Sequence, residues 1–124
     1  MTQEQKDLLL KDLCARLPYG VKVSTPDDVS RTIKRMNIDS NLIEVGNYID
    51  DVYVLSDIKP YLFPLSSMTD EQKKEFDTTL KYLPAEEINF WTLNTYDWCN
   101  ENHFDYRGLI PKDLANDATG LNIY

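Results

Sequence analysis

The apolar positions change period twice along the chain. Leu9, Leu10, Leu13, Cys14 and Leu17 recur at helical spacing and form one stripe. Thr2 and Gln5 stand at capping-box spacing, which satisfies amides that a helix start leaves without partners. Pro18, Tyr19 and Gly20 then stop the run, so the pattern predicts a helix within residues 1–18. Between residues 20 and 65 the period shortens to that of strands. "GVKVS", "DDVSRTIKRMNID", "NLIEVG" and "DDVYVLSDI" are β-branched and half-polar, and Asp27-Asp28, Asp39-Ser40-Asn41 and Gly46-Asn47 supply turns between them. "IKPYLFPLSS" follows, and its two prolines mark it as an edge segment leaving the sheet and packing on the body.

Helical period returns in the second half. Thr69 and Gln72 repeat the capping-box spacing, Phe76, Leu80 and Leu83 form a short stripe, and Pro84 ends it. A further helix is predicted from Ala85 to His103. Ile88, Trp91, Thr92, Thr95, Tyr96, Trp98 and Cys99 share its apolar side, with Phe90 and Leu93 off the pattern. An aromatic stripe of this kind reads as core. After Gly108 the chain is loop-like, with a short helical turn at "KDLANDA" and an apolar "LNIY" expected to dock on the body.

These elements predict one α+β domain over residues 1–124. It has an N-terminal helix (1–18), a small antiparallel sheet (20–65) curled as an SH3-like or Sm-like partial barrel, two C-terminal helices (69–103) and a terminal loop (104–124). Closure or helix cover would shield the open face and edges of so small a sheet.

Charge narrows the partners. The net charge is −8, and residues 67–124 carry eleven acidic and five basic side chains, a poor surface for wrapping nucleic acid. Two cysteines, Cys14 and Cys99, are too few for a disulfide framework. Both are placed on apolar helix faces, as buried free thiols of a reducing, cytoplasmic compartment. The charged N-terminus reads as neither signal peptide nor anchor, and no apolar run is long enough for a membrane span.

Candidate chemistry is sparse. His103 is the one histidine, with Asp105 and Arg107 close behind, and an imidazole is the natural acid–base group near neutrality. No nucleophile motif or second histidine accompanies it. The simpler account places His103 at a helix C-terminus, Asp105 as the cap of the next turn and Gly108 as a permissive backbone position. Lys22, Arg31, Lys34 and Arg35 form the basic cluster, flanked by Asp27, Asp28 and Asp39, and read as a solvated strand face. The cysteines and histidine lack zinc spacing, Asp27-Asp28 and Asp50-Asp51 lack a calcium loop, and the four glycines are isolated. No metal or cofactor is expected.

Three stretches, "LLKDLCARLPYGVKV", "IKPYLFPLSSMTDEQKKEF" and "CNENHFDYRGLIPKDLA", resemble a family of small uncharacterised proteins from Bacteroides-type gut bacteria and their phages or mobile elements. The resemblance covers both ends and the middle join but not residues 24–56. It implies a genomic setting and no assigned chemistry. The leading expectation is a non-catalytic binding or adaptor protein with a protein partner or a second copy of itself. Nucleic-acid binding through residues 22–35 is the alternative, followed by an acidic inhibitor that mimics nucleic acid. An enzyme built on His103, Asp105 and Arg107 comes last.

Overall fold

The computed structural model describes residues 1–46, 51–83 and 88–124. Helix α1 spans Gln3–Arg16, with Thr2 and Gln5 in a reciprocal capping box. A 3-10 turn at Leu17–Tyr19 continues it, and Gly20 ends it in the left-handed conformation, φ 70°. The strands that follow are short: β1 Lys22–Ser24, β2 Ser30–Thr32, β3 Arg35–Asn37, β4 Leu42–Glu44, β5 Val52–Val54 and β6 Lys59–Pro64. They pair β2–β1–β6 and β3–β4–β5, all antiparallel. The amide of Ile33 donates to Val21 and that of Lys34 to Glu44, so β2 runs into β3 and joins the two sheets. The result is a mixed α+β fold with an N-terminal helix, small sheets and two further helices that follow in the chain. The described strands do not close into a barrel.

The second half departs from its sequence pattern. Helix α2 runs Asp70–Thr79, again from a capping box. Residues Lys81–Leu83 (β7) and Ile88–Phe90 (β8) then pair as an antiparallel hairpin where a helix from Ala85 was predicted. Helix α3 begins only at Leu93 and ends at Glu101. The reason is a third capping box, Thr92 with Thr95, which starts a new helix after the hairpin. The expected helical turn at "KDLANDA" is replaced by turns and strand β10, Asn116–Asp117.

Strand β6 is the hub of its sheet rather than an edge. It pairs β1 antiparallel on one side and β10 in parallel on the other, and its Phe63–Pro64 end also pairs in parallel with β9 (Phe104–Asp105). Pro60 and Pro64 are four residues apart, so their missing donors fall on the same edge. The opposite edge keeps its donors, and Phe63 uses its amide on the His103 carbonyl at 2.8 Å.

Leu9 and Leu13 of α1 pack with Val21, Val23, Ile33, Ile43, Leu55, Ile58, Leu62 and Leu109 in one buried cluster. The two tryptophans are not in it: Trp91 and Trp98 are half-buried, and only Thr95, Cys99 and Asn100 of α3 are fully covered. Cys99 is buried as predicted, whereas Cys14 is exposed. Two charged residues are buried beside Leu9 and Leu13: Asp12 and Arg16 are both 0% exposed.

Candidate functional site

Asp12 receives Arg16 Nε at 2.8 Å from the next helical turn and Arg107 Nε at 3.2 Å from the C-terminal segment. Arg16 also donates Nη2 to the Phe104 carbonyl at 2.6 Å. The Tyr106 ring lies against both cations, 5.2 Å from the Arg16 guanidinium carbon and 4.9 Å from that of Arg107. Its hydroxyl donates to Asn100 Oδ1 at 2.9 Å. This network anchors the segment 104–107 onto α1 and α3.

The segment "NHFDYRG" is therefore held by distinct anchors. His103 ends α3 in the left-handed region, φ 63°, and its carbonyl accepts from Phe63. The imidazole stacks on Tyr124, centroids 3.6 Å apart and planes within 10°. Burial, then the charges of Arg16 and Lys22, push its pKa down to about 4, so the ring is neutral near pH 7. The Asp105 carboxylate accepts the amides of Leu109 and Ile110, each at 2.9 Å, and closes a turn. Arg107 belongs to Asp12 and Tyr106. Among the described residues no hydrogen bond or ion pair links His103, Asp105 and Arg107 to one another.

The basic cluster is likewise divided. Lys22 donates Nζ to the Ile123 carbonyl at 2.8 Å and its amide to the Tyr124 hydroxyl at 2.9 Å, which tethers the "LNIY" segment. Arg31 pairs Asp27 at 2.9 Å and Arg35 pairs Glu44 at 3.2 Å. Hydrogen bonds from Thr25 and then Arg31 hold the Asp27 carboxyl below its ordinary value. Lys34 is exposed and lines, with Arg35, Met36 and Ile38, an open hollow of about 680 Å³ that Asp39 and Glu44 also border. Among the described residues no group of three His, Cys, Asp or Glu side chains is placed to hold a metal ion. Asp50 lies outside the described residues.

A second hollow, of about 360 Å³, is lined by Phe90, Trp91, Tyr96 and Tyr106. Trp91 and Tyr106 each lean on Tyr96 with centroids 5.2 Å away. Behind it the rings continue without a break: Phe76 meets Trp91 at 5.3 Å and Trp98 at 5.8 Å, Trp98 stacks on Phe104, and Phe104 reaches Phe63 and so Tyr124. The outer end of this spine faces solvent. Phe90 is 48% exposed, Tyr96 40% and Leu93, on the first turn of α3, 83%. Sequence reasoning missed this face because it placed Trp91 and Tyr96 in a core. The signal available was that Phe90 and Leu93 fit no helical stripe.

Among the described residues no helix is long and apolar enough to cross a membrane. No family model, curated protein or solved structure matches this chain.

Proposed function

We propose that this protein is a non-catalytic binding module that meets a protein partner, or a second copy of itself, through the aromatic face around Tyr96. The observation that carries this reading is the contiguous exposure of Phe90, Leu93 and Tyr96 beside a hollow walled by four aromatic rings. Large apolar side chains in water forgo their burial free energy, and a rigid aromatic cluster left open is the usual mark of an interface. The geometry of His103 supports the non-catalytic side of the reading. Its ring is stacked, neutral and without a link to Asp105 or Arg107.

An SH3-like curl is part of the proposal. The run of β2 into β3, the 3-10 turn Leu55–Asp57 between β5 and β6, and the return of β6 onto β1 support such a path. A phage or mobile-element setting and a cytoplasmic address rest on the resemblance and on the two free thiols.

The test compares wild-type protein with Leu93→Asp in capture of partners from host extract and in light scattering. Leu93 is 83% exposed, so the substitution leaves the thermal melt unchanged. The expected result is loss of a specific partner or of self-association. Identical captured proteins and identical mass for both forms sink the reading.

A further inference from the structure

The charges around the aromatic face say what kind of partner it fits. Among the described residues, 70–83 and 88–101 carry six acidic and three basic side chains, a net −3. On α3, Leu93, Asp97 and Glu101 stand four residues apart and line one exposed stripe that starts beside Tyr96. Both carboxylates are placed against the local preferences of a helix. Asp97 and Glu101 repel at i,i+4, Glu101 sits in the last turn where the helix dipole favours a cation, and no basic residue is in that turn. None of the salt bridges among the described residues involves either one. A cation arriving from outside relieves both conflicts.

The rings beside the stripe are suited to such a cation. The chain already lays two guanidinium groups against Tyr106, at 4.9 and 5.2 Å, so the internal packing uses the same contact. Trp91 and Tyr96 form the remaining wall with Phe90. Arginine suits this wall better than lysine, because a planar, weakly hydrated guanidinium stacks on a ring while an ammonium keeps its water. An anionic partner meets the carboxylates, and a neutral one leaves them uncompensated.

Building on the proposed binding role, we propose that the hollow of Phe90, Trp91, Tyr96 and Tyr106 docks an arginine-bearing basic segment of a partner protein. A guanidinium stacks on Trp91 and Tyr96, and neighbouring cations of the segment meet Asp97 and Glu101.

The probe is a blocked, fluorescein-labelled peptide of alternating glycine and arginine, titrated with the full chain and read by anisotropy. Lysine and glutamate versions serve as controls. The arginine peptide binds most tightly, lysine more weakly and glutamate not at all, and affinity falls as salt rises from ~50 to ~300 mM. Tyr96→Ala weakens arginine binding by roughly fivefold to thirtyfold, the size of one cation–π contact. Asp97→Asn with Glu101→Gln weakens it and flattens the salt dependence. These two positions are exposed, so that variant folds even where Tyr96→Ala does not. Equal binding of the three peptides, or binding indifferent to Asp97→Asn with Glu101→Gln, overturns the proposal. Should no basic peptide bind while Leu93→Asp still abolishes self-association or releases a captured protein, the occupant is wrong and the binding face stands. When Leu93→Asp changes neither, the binding role itself fails.

Discussion

At the scale of single residues, the buried charges are the main departure from expectation. Asp12 and Arg16 are visible in the sequence as an i,i+4 pair, a spacing that on a helix surface contributes only a few tenths of a kcal/mol. Tertiary packing takes the pair out of water and adds Arg107 to the same carboxylate. Once buried, the carboxylate cannot be removed without leaving two guanidinium groups short of a counter-charge. Asp12→Asn is therefore expected to destabilise the fold by about 3–5 kcal/mol, read from urea unfolding. The exposed pair Arg35–Glu44 is the contrast, and Arg35→Ala should shift the same curve by less than about 1 kcal/mol. Comparable losses from both would mean that Asp12 is not the buried hub described.

At the scale of elements, the threonine caps decide where helices begin. Thr92 and Thr95 cap α3 reciprocally, and both hydroxyls also donate to the Thr79 carbonyl at the end of α2, at 2.9 and 3.0 Å. One pair of threonines three residues apart thus starts one helix and fastens the end of another. Thr92→Val keeps the shape and removes the hydroxyl, and should cost about 1–2 kcal/mol in thermal or urea unfolding. An unchanged midpoint would exclude that double role. The first two boxes were legible because an apolar stripe follows each. The third was hidden inside a longer apolar pattern, in which Ile88, Trp91 and Thr95 happen to keep helical spacing across a hairpin and a cap. Strand β6 was misplaced for a related reason. Proline density argues for an edge, yet two prolines at even spacing impair only one edge.

At the scale of the whole molecule, the chain end is tied to the middle of the sheet through one aromatic stack. The Tyr124 hydroxyl accepts from the Lys22 amide and donates to the Tyr61 carbonyl, while its ring covers His103. His103 has a folded pKa of about 4, below its ordinary 6.5, so the folded state binds this proton less readily than the unfolded state. Its contribution to stability is fully present above about pH 6.5 and is lost as pH falls from there towards 4. Urea midpoints measured over this window should fall with pH in the wild type and fall less in His103→Asn, which keeps a residue tolerant of the left-handed backbone. A histidine resonance titrating near 6.5 in the folded protein would contradict the burial of this ring.

The sequence by itself determined the α+β class, the start and stop of α1, the start of α2 and the strand character of residues 20–45. These follow from local rules, in which caps, proline, glycine and side-chain period act within a few residues. Only the tertiary structure decided that Asp12 and Arg16 lie inside, that Cys14 and Leu93 lie outside, and that Trp91, Tyr96 and Tyr106 meet at an open hollow. Burial is a property of what packs against a face, and a helix stripe reads the same whether its partner belongs to this chain or to another molecule.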